Sequence, residues 1–199
     1  LPALSGLERL YEQKQDWQAL VDILTQRSDV IENKEERRNI LYRTAVLLEE
    51  KLENTDDAIS IYNQVNLEFG PDRDALHALQ RLFNRTSKWS DLLDVYEAEE
   101  SIVSDLEDRA ELFFRMGELL QTHLEDPERA VEKLGETLKL NISHKRARLS
   151  LESMMESQVR REVINLLRPI YETEANYQQI LRCDEIMADE LDEPFEKTK

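Results

Sequence analysis

Arginines recur 72 residues apart, among them Arg9 with Arg81 and Arg43 with Arg115, and an aromatic pair, Tyr42 with Phe114, keeps the same interval. A guanidinium group pairs bidentately with a carboxylate. In a chain with 43 acidic and 26 basic residues, repeated arginines are candidates for holding an acidic or C-terminal segment of a partner. The same recurrence also fits ion pairs within the protein, because Glu49 and Glu50 lie near Arg43 on one helical stretch, and Glu8 and Glu12 near Arg9. Groups for catalysis are sparser. His77, His123 and His144 are scattered, and neither they nor the single Cys183 fall at metal-ligand spacing. Arg182, next to Cys183, could favour a thiolate, but no histidine partner lies near in the sequence, and Cys183 reads as a small residue on a buried helix face. The four glycines form no phosphate-binding loop. The acidic run CDEIMADELDEP lacks the central glycine of a Ca²⁺ loop and reads as a helix with a solvated face. The expectation is a non-enzyme without metal or cofactor.

These residues must be positioned by helices. Only 4 Gly and 5 Pro interrupt 199 residues that are 40% hydrophobic, enough to bury a core, and good helix formers dominate. The net charge of −17 opposes binding to nucleic acid and anionic membranes, and no apolar run is long enough to span a bilayer. One cysteine excludes an internal disulfide and is compatible with a reducing, cytoplasmic setting. The chain opens on LPALSGLERL, which lacks an initiating Met and reads as the start of an excised piece of a longer protein.

The chain also matches itself. Shifted by 72 residues without a gap, Ala3–Asn66 and Ala75–Leu138 are identical at 16 of 64 positions. Both tryptophans, Trp17 and Trp89, fall in register, where each reads as a wedge packed at the turn between paired helices. Four amphipathic helices are predicted per unit. Leu4, Leu7, Leu10 and Tyr11 mark the first, and Trp17, Leu20, Val21 and Leu24 the second. The third follows Asn33, a good N-cap, and the fourth begins at Thr55. In the second copy of this fourth helix, Asp126 is the cap and Pro127 the first helical residue. The predicted pairs are 1–33, 34–72, 73–105 and 106–144. The third copy starts in register with Ala147, Leu151, Met154 and Met155, then loses it. A shift of 160 restores it, placing Ile164, Leu167, Tyr171, Tyr177, Ile180 and Leu181 under Leu4, Leu7, Tyr11, Trp17, Leu20 and Val21. An inserted helix is expected at 146–156, followed by a pair at 160–191 with Pro169 kinking its first helix. Residues 193–199 would then start a further repeat of an array that continues beyond them. Stacked pairs bury stripes that no pair could bury alone.

These residues resemble tetratricopeptide (TPR) repeats. The family's large, small and aromatic positions are occupied by Leu41, Thr44, Ala45, Leu48, Ala58, Tyr62 and Val65, and again by Phe113, Met116, Gly117, Leu120, Ala130, Leu134 and Thr137. The first and third pairs follow the pattern more loosely, with Leu in place of Ala in their second helices. The resemblance implies an all-α fold, a right-handed α-α superhelix in which antiparallel helix pairs form one TPR-like solenoid over 1–199. It further implies a non-catalytic scaffold that binds a protein or peptide in a concave groove lined by the first helix of each pair. Projected on this sequence, that groove holds Arg9, Tyr42, Arg43, His77, Arg81, Phe114 and Arg115, with Arg146 further along. The Lys and Asn pattern of the family's carboxylate clamp is not met, so binding of chaperone tails is not expected. The alternative is a structural spacer or a self-association module.

Overall fold

The computed structural model describes residues 2–192, and within them every regular element is a helix. The helices are α1 (Pro2–Lys14), α2 (Trp17–Val30), α3 (Lys34–Glu50), α4 (Thr55–Phe69), α5 (Arg73–Thr86), α6 (Trp89–Glu100), α7 (Leu106–Thr122), α8 (Pro127–Leu140), α9 (Lys145–Ser153), α10 (Arg160–Thr173) and α11 (Tyr177–Asp192). The sequence reading treats 1–199 as one solenoid, whereas contacts group the chain into two compact units, 1–102 with α1–α6 and 103–199 with α7–α11. The further repeat expected at 193–199 lies outside the described residues.

Helix starts follow local chemistry. Side chains of Asp16, Asn33, Asn54, Asp72, Asp105 and Asp126 each accept a backbone N–H from the first turn of the helix that follows, satisfying donors that a helix leaves unpaired. Helix ends repeat too. Gln15, Ser87 and Ala175 adopt left-handed backbone at φ 55°, 55° and 53°, and these positions are related by the same shifts of 72 and 160 residues that align the sequence. After each, the next N–H reaches five residues back: Asp16 to Tyr11 O at 3.0 Å, Lys88 to Phe83 O at 3.0 Å, and Asn176 to Tyr171 O at 2.9 Å. This Schellman-type closure normally has glycine at the left-handed position. Glu53 and Glu125, both at φ 52°, mark the corresponding turns after the longer helices α3 and α7.

In unit 1–102 each helix packs on the next along the chain. Its core is built from the predicted stripes: Leu20, Leu24, Ala45, Ala58, Tyr62, Val65 and Leu82 are fully buried. Leu10 is 41% exposed and does not join them. Trp17 and Trp89, the first residues of α2 and α6, are half-buried, and the Lys51 ammonium lies 5.8 Å from the Trp17 ring centre.

In unit 103–199, α7 pairs with α8, and α9 packs on α7, α8 and α10. Ala147 and Leu151 of α9 are fully buried, as is Met155 in the turn after it, and Met154 is nearly so, so this segment buries the positions that α5 buries although α9 itself ends at Ser153. Gly117 permits the close approach of α7 and α8, since a Cβ there would lie 2.7 Å from Leu134 Cγ. α10 continues through Pro169 to Thr173. Tyr177 and Leu181 on α11 are 77% and 60% exposed, unlike their buried or half-buried counterparts in α2.

Candidate functional site: the arginine face of the first helices

In unit 1–102 the first helices of the pairs, α1, α3 and α5, are bridged by ion pairs that run from each helix back to the preceding one. Arg43 on α3 reaches Glu12 on α1 (Nη2 to Oε1, 2.9 Å) and Glu8 (Nη1 to Oε2, 3.7 Å). Arg81 on α5 donates through Nη2 to both carboxylate oxygens of Glu49 on α3, each at 3.4 Å. These bridges put Arg43 and Arg81 on one face with their side chains 41% and 62% exposed. Arg9 is exposed and makes no ion pair among the described residues. Glu12 serves Arg43, while Glu8 is held chiefly by Arg27 of α2 at 2.7 Å with Arg43 farther off, so neither pairs with its neighbour Arg9 and the local pairing weighed from the sequence is replaced by pairings between helices.

Aromatic groups back this face. Tyr42 meets Tyr62 edge to face, with ring centres 5.6 Å apart, and the Tyr62 hydroxyl donates to Glu49 Oε2 at 3.2 Å. Burial, and then the adjacent Glu49 charge, push the Tyr62 phenol well above its ordinary range. Tyr42 is also raised, chiefly by burial. His77 stands apart from the arginines: its Nε2 lies 3.0 Å from Glu99 Oε1, and Gln80 donates to the other oxygen of Glu99 at 2.6 Å. The buried Glu99 carboxylate therefore fixes His77, which is 45% exposed, against α6.

In unit 103–199 the pattern recurs with different members. Arg146 on α9 reaches back to Glu111 (3.6 Å) and Glu118 (3.3 Å) on α7. Its guanidinium carbon lies 4.2 Å from the centre of the Phe114 ring, a cation–π contact. Phe114 is only 1% exposed, and His144 packs on it at 4.8 Å. The expectation that Phe114 lines an open groove is thus corrected: its ring supports Arg146 from beneath. Arg115 keeps to its own helix, with Nε 3.4 Å from Glu111 Oε1. His144 acts as a cap, since its Nδ1 accepts the Ala147 N–H at 3.1 Å; the ring is then the Nε2–H tautomer, donating toward Glu111 at 3.3 Å.

Cys183 is fully buried. Burial, with Asp184 second, raises its thiol pKa against the opposing pull of Arg168 and Arg182, so desolvation outweighs the neighbouring cation that the sequence suggests as an activator. Among the described residues, no three His, Cys, Asp or Glu side chains gather where a metal could be held, and no helix is long and apolar enough to cross a membrane.

The arrangement can pair carboxylates on a polar, aromatic-backed helical face, and comparison with known proteins agrees with its repeat geometry. The tetratricopeptide repeat family matches residues 3–38. A solved tetratricopeptide repeat protein from Parabacteroides merdae ATCC 43184 superposes with a TM-score of 0.51 at 13% identity, over 94% of this chain and 73% of that one. The fold is that of a TPR-like helical repeat. MamA superposes on this TPR-like array at a TM-score of 0.48 and 13% identity, over 87% of this chain and 97% of MamA. YrrB, described as a TPR protein with an unusual peptide-binding site, does so at 0.44 and 18%, over 75% and 73%. None of the curated proteins compared by sequence matches it. The family match falls on α1, α2 and the start of α3, which includes one of the two looser pairs.

Proposed function

We propose that this TPR-like array is a non-catalytic protein-interaction scaffold, and that the face shared by α1, α3 and α5 receives an extended peptide segment bearing carboxylates. TPR-like folds generally mediate protein–protein interaction. The observation that carries the reading is the placement of Arg9, Arg43 and Arg81 on successive first helices, all at least partly open to solvent, with Tyr42 near Arg81. Arg81 engages Glu49 through Nη2 alone, which leaves the other edge of its guanidinium for a second carboxylate. Arg115 and Arg146 offer the equivalent chemistry in unit 103–199.

Peptides of about twelve residues, one set rich in Asp and Glu and one with Asn and Gln in their place, test this by fluorescence anisotropy. The acidic set is expected to bind, and Arg9→Gln with Arg43→Gln and Arg81→Gln together are expected to weaken it at least tenfold. Equal binding of both peptide sets, or unchanged affinity in the triple variant, overturns the assignment.

A second reading is favoured by the back-reaching pairs themselves. Arg43, Arg81 and Arg146 each bridge to the preceding first helix, as staples of a rigid spacer would. In that case the variants lower thermal stability slightly, exposed pairs contributing about 0.2–1 kcal/mol each, and no peptide set binds.

A further inference from the structure

The second helices of unit 1–102 enclose a feature that the arginine face does not use. α4 and α6 both pack on α5, and between them lies a cleft of about 400 Å³. Its floor is apolar, formed by Leu76, Leu79 and Phe83 of α5, with Val95 of α6 at one side. The α4 wall ends in Leu67, 88% exposed, a large apolar side chain left almost uncovered beside an apolar floor. The opposite wall carries Asp91 and Asp94, three residues apart and so on one face of α6. Both aspartates are exposed, and neither has an ion pair or side-chain hydrogen bond among the described residues.

Asp91 lies in the first turn of α6, where the helix dipole favours an acid. Asp94 lies beyond that turn, so the dipole does not explain it. A smaller cleft of about 250 Å³ between α2 and α4 provides a contrast. There Asp22, the repeat counterpart of Asp94, accepts a hydrogen bond from Gln18 at 3.1 Å, and no exposed leucine borders the opening. The cleft between α4 and α6 thus combines an apolar floor, an uncovered leucine and two uncompensated carboxylates.

We propose that this cleft docks a basic, apolar peptide segment of a partner protein: a large aliphatic or aromatic side chain enters against Leu67, Phe83 and Val95, and flanking Lys or Arg residues pair with Asp91 and Asp94. Charge complementarity selects this occupant, because the wall carries only acidic charge and an acidic segment would meet it with like charges. The site shares no residue with the arginine face, and either can exist without the other.

The test uses the full chain labelled with ¹⁵N and three peptides of about twelve residues: one with a Leu-Phe pair flanked by Lys and Arg, one with Ser replacing that pair, and one with Glu replacing the basic residues. The first peptide is expected to bind, with amide shifts concentrated on α4 and α6. Asp91→Asn with Asp94→Asn should weaken it at least tenfold, and Leu67→Ser several-fold; all three positions are exposed, so the folded state is retained and a thermal melt verifies this. Equal binding of the serine peptide would mean diffuse attraction to a chain of net charge −17 and would overturn the proposal. So would shifts centred elsewhere, an undiminished affinity in the double variant, or no binding of the first peptide.

Discussion

At the scale of single residues, the balance between burial and charge decides which side chains are available for chemistry. Cys183 shows this most plainly. Two arginines lie close enough to favour a thiolate, yet the fully buried sulfur has its pKa raised, because the loss of hydration outweighs their attraction. Modification of Cys183 by iodoacetamide at pH 8 is therefore expected to be slow in the native protein and to proceed at the rate of local or global opening. Addition of urea should accelerate it by orders of magnitude, and labelling as fast as that of a free thiol without denaturant would contradict the assignment. Phe114 illustrates the same balance in reverse. Its repeat relation to Tyr42 is visible in the sequence, but its burial under Arg146 and His144 depends on α9 folding back over α7, which no property of residue 114 announces. Arg43 and Arg81 were legible as recurring cations. Their partners were not, because Glu12 and Glu49 lie 31 and 32 residues away, and their pairing depends on how neighbouring helices are offset along their axes.

At the scale of elements, the periodic apolar positions and capping residues place the helix starts, and the self-alignment foretells which turns resemble one another. What the alignment hides is the left-handed backbone at Gln15, Glu53, Ser87, Glu125 and Ala175. None of the five is glycine, so the usual marker of that conformation is missing. The repeat has kept the geometry and varied the residue. Ser87→Gly and Ala175→Gly are accordingly expected to stabilise the protein by about 0.5–1 kcal/mol each, the relief of left-handed strain exceeding the backbone entropy that glycine loses on folding. Urea melts check this, and a loss of stability at both positions would contradict it. The opposite outcome is expected inside α7. Alanine normally gains about 1 kcal/mol over glycine in a helix, but at Gly117 the added Cβ would sit 2.7 Å from Leu134 Cγ and 3.3 Å from the Ala130 carbonyl oxygen. Leu134 is itself fully buried, so it cannot swing aside, and overpacking of this kind costs about 1–3 kcal/mol. Gly117→Ala should therefore lower the urea midpoint despite its better helix propensity.

At the scale of the whole molecule, each compact unit has buried a weak acid that ionises more readily when unfolded. Unit 1–102 holds Tyr62, and unit 103–199 holds Tyr171 and Cys183; all three have raised pKa values, with burial the first cause. The hydroxyls of Tyr62 and Tyr171 both point at glutamates, Glu49 at 3.2 Å and Glu152 at 2.7 Å, so ionising either phenol would set two negative charges together. Below the ordinary values of 9.0 for the thiol and 10.0 for the phenols, both folded and unfolded chains keep these protons, and stability does not depend on them. Above those values the unfolded chain releases them while the folded chain retains them, so stability falls with rising pH, by up to about 1.4 kcal/mol per pH unit for each group. The thermal midpoint is thus expected to begin falling near pH 9 and to fall more steeply above pH 10. Part of any alkaline decline in a chain of charge −17 comes from general repulsion as lysines lose their protons, and substitution separates the two causes. Tyr171→Phe with Cys183→Ala should begin from a lower midpoint at neutral pH, having lost the Glu152 hydrogen bond and some packing. Between pH 9 and 11 it should lose less stability than the wild type, because it no longer carries two of the acids that the unfolded state ionises. Parallel declines in the two proteins would assign the alkaline loss to surface charge and remove these buried acids from the account.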